Sequence, residues 1–373
     1  MRIALVHDYL AQDGGAERVL KAFHEVWPSA PIFVLFHDRK KIHDFDDATI
    51  KQSFLSKMPL ITTHFPWYLP FMPLATERHN LENFDVVISS ASSFAKGVLT
   101  GPDTLHISYC HTPTRYLWSA THSYVTDLPY HPLIKAPLPR LISKLRLWDK
   151  MSADRVDFFI TNSRTVQQRI QKYYRRPSAV IHPPVAINNF SISPELGDYY
   201  VAGGRLVPYK SLRIVIQTFN RLGWPLKIFG EGPERRRLEA FAKPNIVFLG
   251  HISETEKAKL LQKALAFIHP QIEDFGITAL ESMASGRPVI ALADGGATET
   301  IAANETGQFF YEQSWPSLLN TLLSFNPTAW DSQKIREHAS TFSTTEFKQA
   351  IKKYVDERYE EFKHGFQQPA LLH

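Results

Sequence analysis

Short apolar runs and helical patterns alternate along the whole chain. "RIALVH" (2–7) reads as a strand, and "GGAERVLKAFHEV" (14–26) as a helix entered through glycines. "PIFVLF", "DVVISS", "TLHISY" and "DFFITN" (157–162) predict further strands, the last followed by a basic helix over 163–174. The pattern then restarts with "DYYVAGG" (198–204), "PLKIFG" (225–230), "NIVFLG" (245–250), "ALAFIHP" (264–270) and "PVIALA" (288–293). Turn signals, and usually a helix, separate neighbouring runs. Strands apolar on both faces in β-α alternation imply parallel sheets, and two such series imply two doubly wound α/β domains. The Pro-, Asn- and Ser-rich stretch 182–197 marks the join, and 344–365 predicts a long polar helix outside either series. Two Pro-rich aromatic segments in the first half, 64–80 and 130–150, carry little strand signal; loops this apolar are expected to be functional or buried.

Composition fits a globular protein with real cores: 44% hydrophobic and 21% charged over 373 residues, a length that suggests two domains. A single cysteine, Cys110, precludes an internal disulfide and points to a reducing compartment. The apolar opening is broken at His7 and Asp8, too early for a signal peptide, and no stretch is long and apolar enough to span a membrane. The net charge is +5, yet 131–180 alone holds eleven Lys or Arg against three Asp, so the remainder is slightly acidic. That patch is either a solvated helical face or a surface for phosphate, lipid headgroups or nucleic acid.

The densest chemical signal is "EDFGITALESMASGRP". Glu273 follows a strand, Gly276 opens a helix from Ile277 to about Ser285, Gly286 stops it and Pro288 prevents its return. Ligands of open α/β sheets bind at the carboxyl edge of the strands, and a glycine-led helix start offers free N–H groups to a phosphate. Carboxylates on either side of such a site, Glu273 and Glu281, suit hydroxyl groups flanking the phosphate. "GGRLVPYKS" (203–211) follows the first strand of the second series and brings Arg205 and Lys210 to the same edge, either as a diphosphate clamp or as two surface cations.

With these residues in place the chain resembles the retaining family-4 glycosyltransferases of the GT-B fold over nearly its whole length. The family's E-x7-E is Glu273 to Glu281, its G-R-L-x-x-x-K is Gly204 to Lys210, "GEGPE" (230–234) matches its nucleotide-side loop, and "GGAER" (14–18) its first glycine loop. The resemblance implies two Rossmann-like domains facing across a cleft: 1–185, binding acceptor, and 196–343, binding the nucleotide sugar. A helix over 344–373 would pack back on the first domain. It implies that Arg205 and Lys210 hold the diphosphate, Glu273 the donor-sugar hydroxyls and Glu281 the ribose. Backbone N–H groups of Gly276, Ile277 and Thr278 would touch the phosphates, Glu231 and Ile252 would line the nucleotide, and Gly15 would approach the diphosphate. His111, in "YCHTPTRYLW" (109–118), matches the family's first-domain histidine beside the reacting sugar; a purely structural histidine is the competing reading. His106, His111 and His122 match no compact metal motif, and no triad logic surrounds Cys110.

The string C-H-T-P-x-R-Y-x-W, with E-D-F-G, is similar to the subgroup that moves mannose from GDP-mannose onto lipid-linked saccharides; glucose, GlcNAc or another hexose from UDP stays open. The resemblance implies retention of configuration without a metal or cofactor, with cations neutralising the leaving group. It also implies a cytoplasmic protein, peripheral on the inner membrane face. A dehydrogenase would need a G-x-G-x-x-G absent after the first strand, and the basic patch carries no recognisable nucleic-acid motif. Along 134–150, Leu138, Leu141, Ile142, Leu145 and Trp148 form one helical stripe with cations beside it. That pattern predicts either a helix lying on an anionic membrane or one packed in the core.

Overall fold

Every strand pairing in both sheets is parallel, and each sheet has its first strand near the middle. A computed structural model describes residues 1–12, 14–119, 121 and 135–365. One unit comprises 1–183 with the C-terminal helix from Phe347, and the other 184–346.

In the first unit seven strands run in the order β3-β2-β1-β4-β5-β6-β7. They are β1 (Ile3–His7), β2 (Ile32–Val34), β3 (Ile50–Gln52), β4 (Val86–Ala91), β5 (Leu105–Cys110), β6 (Phe158–Thr161) and β7 (Ser178–Val180). β1, β4 and β5 are buried throughout, which is why they read as uninterrupted apolar runs. The helix Thr344–Lys363 contributes Phe347, Ile351 and Val355 to the core beneath β1 and β5. Phe347 stacks on Phe23 at 5.8 Å and meets Tyr109 edge-on at 6.0 Å.

In the second unit six strands run β10-β9-β8-β11-β12-β13. They are β8 (Tyr200–Gly203), β9 (Leu226–Phe229), β10 (Ile246–Gly250), β11 (Phe267–His269), β12 (Val289–Leu292) and β13 (Gly307–Phe310). Apolar clusters cover both faces, one around Phe267, Leu280 and Met283 and the other around Val215, Phe219 and Ile228. Ile187 and Phe190, from the stretch expected to be a linker, belong to the first of these clusters.

The basic, amphipathic segment is resolved in favour of the core. The helix Leu138–Asp154 buries Ile142 and Leu145, and packs Leu141 and Trp148 against the same cluster as Phe94 and Leu117. The apolar stripe that would have lain on a membrane is thus spent on the fold. Neighbouring cations also turn inward. Arg176 donates to the carbonyls of Ala153 (3.1 Å) and Val156 (2.6 Å), near the C-terminus of that helix, where cations are favoured. Arg155 pairs with Glu77 at 2.7 Å. The aromatic segment forms short helices over Ile61–His64, Phe65–Phe71 and Met72–Glu77. Phe65 and Tyr68 pack inward, whereas Trp67, Phe71 and Leu74 are about half exposed (58%, 52% and 49%).

A buried ion pair ties these parts together. Lys96 and Asp149 are each 1% exposed and lie 2.5 Å apart. Asp149 also accepts hydrogen bonds from Thr114 (3.0 Å), the Trp118 indole (2.7 Å) and the Tyr174 hydroxyl (2.9 Å). Part of the "CHTPTRYLW" string is therefore a frame: its threonine and tryptophan serve this carboxylate. Removing the cation leaves a buried charge uncompensated, so Lys96→Met should lower unfolding stability by about 3–5 kcal/mol in urea titration. A loss below about 1 kcal/mol, the range of exposed pairs, would show the pair to be solvated.

Candidate functional site

The second unit assembles its polar residues at the carboxyl ends of β8 and β11. β11 ends at His269, and the chain continues through Gln271 and Glu273 to Gly276, which caps the helix Ile277–Ala284. Gly276 has φ +93°, a left-handed conformation costly to any side chain, and an added Cβ would stand 3.3 Å from the His269 ring. The turn is fixed from below by Phe275, 4% exposed and edge-on to Phe342 at 5.8 Å. It is fixed from the side by the Gly296 N–H, which donates to the Glu273 carbonyl at 2.8 Å.

Lys210, on the turn Pro208–Lys210 after β8, contacts the Glu273 carboxylate directly. His269 lies 3.9 Å from the other oxygen of that carboxylate. Its Nδ1 faces the Gln271 side-chain nitrogen at 3.1 Å. Burial first, and Lys210 second, lower the His269 imidazole to about 3, so the ring is neutral beside the cation. Arg205 stands exposed on the loop that carries Lys210. That loop is stitched to the one bearing Glu231: the Leu206 N–H donates to the Glu231 carbonyl at 2.8 Å, and a Cβ on Gly230 would fall 1.9 Å from the Gly204 carbonyl oxygen. The spacing of "GGRL" and "GEG" in sequence is therefore one contact in space. The Glu231 side chain pairs with Arg235, and Ile252 packs at the edge of the neighbouring core.

Glu281 sits on the inner side of its helix, 2% exposed, with Lys257 2.8 Å from one carboxylate oxygen. A ribose assigned to Glu281 must share the group with that ammonium, which four lone-pair positions allow. Ile277 and Thr278 occupy the first turn and are partly exposed, so their backbone lies at the helix start as expected.

In the first unit, His111 follows β5 directly. Its N–H donates to the Ala91 carbonyl (2.9 Å) and its carbonyl accepts from Asn162 (3.0 Å). Its Nε2 lies 2.8 Å from the Ser90 hydroxyl. Burial, with a smaller contribution from His7, lowers its imidazole to about 3. Gly15 begins the helix Gly15–Val26 and is exposed. His106 bonds Ser89 at 2.9 Å, whereas His111 bonds Ser90. Adjacent strand residues face opposite sides of a sheet, so these two histidines serve opposite faces. His122 lies outside the described residues. Among the described residues no group of three or more His, Cys, Asp or Glu could hold a metal ion. Cys110 is buried in an apolar cluster with Ala153, Val156 and Phe159.

Several polar residues of these edges escaped the sequence reading: His7, Ser90, His269 and Gln271. For His7, Ser90 and His269 the signal was a polar residue at the end of an otherwise apolar strand; Gln271 lies in the loop beyond. Asp8 is another. It is 4% exposed and accepts four backbone N–H bonds, from Ser92, Ser93, Phe94 and Ala95, at 2.7–2.8 Å.

Residues 13–189 match the family model described as Glycosyltransferase Family 4, and 187–339 the model described as Glycosyl transferases group 1. Among curated proteins, the O-antigen chain mannosyltransferase RfbU of Salmonella typhimurium is 31% identical over 155 residues, 38% of this chain and 43% of that protein. A probable sucrose-phosphate synthase of Thermosipho melanesiensis is 25% identical over 241 residues, 56% of this chain and 54% of that protein. The chain thus spans about half the length of these curated relatives. Among solved structures, Anabaena Alr3699/HepE in complex with UDP superposes with a TM-score of 0.70 at 17% identity, covering 96% of this chain and 100% of that one, a likeness of fold.

The buried histidines make a pH prediction. His106 and His269 are both fully buried, and burial holds their imidazoles near 4 and 3. Their folded pKa values lie below the unfolded value of about 6.5, so the unfolded chain takes up protons first. Stability is therefore full above about pH 6.5 and falls as pH drops toward 4, by about 1.4 kcal/mol per pH unit for each histidine. Urea titrations at pH 7, 6 and 5 should show this slope, reduced in His269→Gln. A flat profile would mean the rings are solvated.

Proposed function

We propose that this chain, which belongs to the GT-B glycosyltransferases through the two family models spanning residues 13–339, moves a hexose from a nucleotide sugar to a saccharide acceptor. The observation that carries the reading is the contact of Lys210 with Glu273 beside the glycine-capped start of the Ile277–Ala284 helix. A cation, a carboxylate and unbonded helix N–H groups at one strand edge match the parts of a sugar diphosphate: hydroxyls for Glu273, phosphate oxygens for the amides of Gly276, Ile277 and Thr278, and leaving-group charge for Lys210 and Arg205.

In this mechanism the donor binds with its diphosphate across the helix start. As the anomeric carbon–oxygen bond stretches, negative charge grows on the phosphate and positive charge on the sugar ring. Arg205 and Lys210 stabilise the first, and the Glu273 carboxylate holds the ring in place as the second develops. The acceptor hydroxyl attacks from the face the phosphate leaves and passes its proton to a phosphate oxygen, so configuration is retained and no metal is required.

Within this reading the donor is GDP-mannose and the acceptor a lipid-linked saccharide. The "CHTP" and "EDFG" strings support the donor, as does the similarity to a protein named an O-antigen chain mannosyltransferase. The exposed Trp67, Phe71 and Leu74, close together in sequence, support contact with a membrane surface.

A thermal-shift panel of GDP, UDP, ADP and dTDP tests the donor. The true nucleotide should stabilise by about 2.7 kcal/mol at a hundredfold excess over its dissociation constant. GDP is expected; UDP alone would reassign the donor, and none would remove the reading. Glu273→Ala should retain nucleotide binding and lose transfer on the order of a hundredfold. Arg205→Ala should weaken diphosphate binding by about 1.5–3 kcal/mol and leave nucleoside binding unchanged. Near wild-type transfer by Glu273→Ala would sink the assignment.

For the membrane, flotation with vesicles should carry the wild-type protein and lose a Trp67→Ser, Phe71→Ser variant. Equal flotation of both would move the membrane contact to another surface, and flotation of neither would favour a soluble acceptor.

A further inference from the structure

His269 closes β11 with a fully buried imidazole. The residue is 0% exposed, and among the described residues its Nε2 has no hydrogen-bond partner. That nitrogen faces a small space with two walls. One is the Glu273 carboxylate, whose Oε2 is 3.9 Å away. The other is Gly276, where an added Cβ would stand 3.4 Å from Nε2. A buried polar atom left without a partner is destabilising, so a nitrogen placed there marks a partner that comes and goes.

Two neighbours decide which ring nitrogen carries the proton. The Gln271 side-chain nitrogen lies 3.1 Å from Nδ1, and Gln271 is 2% exposed. An amide nitrogen only donates, so Nδ1 accepts. Burial, and then the neighbouring Lys210 ammonium, keep the ring neutral, so its one proton sits on Nε2. The carboxylate favours the same arrangement, because the other tautomer would turn a bare lone pair toward Glu273. His269 therefore aims an N–H at Glu273 across a gap too long for a hydrogen bond.

The other carboxylate oxygen, Oε1, is held by Lys210. The Glu273 backbone cannot shift toward either side. Its carbonyl accepts from the Gly296 N–H at 2.8 Å, and a Cβ on Gly295 would fall 2.6 Å from the same oxygen. Side-chain rotation is what remains to move the carboxylate, toward Lys210 or toward His269.

We propose that His269 is the second holder of Glu273: when a diphosphate draws Lys210 away, the carboxylate turns to the Nε2–H of His269. A carboxylate that has lost its cation is thereby kept from swinging into solvent, and its remaining lone pairs stay free for hydroxyl groups. His269 and Gln271 are positioning residues, the first acting through Glu273 and the second through His269. The benefit to a sugar donor rests on the transferase reading above; the tautomer and the exchange of partners do not.

The full chain with ¹⁵N-labelled histidine gives the test. Long-range ¹⁵N–¹H spectra at neutral pH, assigned with His269→Gln, should show His269 protonated at Nε2 alone. An Nδ1–H pattern or an imidazolium overturns the proposal. Lys210→Met removes the competing cation with no ligand added. Its Nε2–H proton should move downfield as the hydrogen bond to Glu273 forms, and should move back in a Lys210→Met, Glu273→Ala double variant. An Nε2–H signal that Lys210→Met leaves in place overturns the exchange. Turnover gives a second readout. A glutamine at 269 brings an amide N–H to the Nε2 position, whereas an asparagine reaches the Nδ1 position alone. The kcat for transfer should fall on the order of tenfold in His269→Asn and less than about threefold in His269→Gln, with the donor KM and the GDP thermal shift kept in both. Equal loss in the two variants would make His269 a packing residue and overturn the proposal. A chain that shows the Lys210→Met shift but is stabilised by none of the four nucleotides would support the exchange while counting against the donor site.

Discussion

Parallel strand pairing is the constraint on which both sites depend. All strands of a parallel sheet end on one edge, so a polar residue closing a buried strand is delivered to a fixed place by backbone hydrogen bonds. In the first unit the β1–β4 register sets His7 beside Ser90, and β5 ends one residue before His111. In the second unit β8 and β11 are neighbours, and the loops that leave them bring Lys210 to Glu273. A strand slip of one residue would send His7 or Ser90 to the opposite face.

Buried charge is handled in two ways. Lys96, Asp149 and Asp8 are saturated by partners inside the first unit and hold loops in place. Lys210 and Glu273 are instead partly exposed, at 12% and 17% of their side chains, and face each other at a helix start. A pair of this kind keeps both groups charged and positioned while leaving them open to exchange partners with an arriving anion and its hydroxyls. His269, neutral beside them, leaves Lys210 and Glu273 as the charged groups of this pair.

The interior of each sheet was legible in the sequence because strands buried on both faces are apolar throughout. The strands that were missed, Ile50–Gln52, Ser178–Val180 and Gly307–Phe310, are all short and lie at sheet edges, where partial exposure erases the apolar run. The motif residues after β8 and β11 were legible because glycine and charge stand out against apolar neighbours. The amphipathic stripe over 138–150 was legible as a helix but not in its destination: periodicity marks a face and is silent on what covers it. The Lys96–Asp149 pair and the Ser90–His111 contact were not legible, because each joins residues brought together only by tertiary pairing.

The central claim is that the edge formed by Arg205, Lys210, Glu273 and the Ile277–Ala284 helix start receives a nucleoside diphosphate. A crystal structure of the chain soaked with the nucleotide that stabilises it most tests this directly. The account predicts phosphate oxygens on the backbone N–H groups of Gly276 to Thr278, with the Arg205 and Lys210 side chains on the same oxygens and Lys210 drawn from Glu273. A diphosphate bound elsewhere, or a helix start left empty with Lys210 still on Glu273, would contradict it.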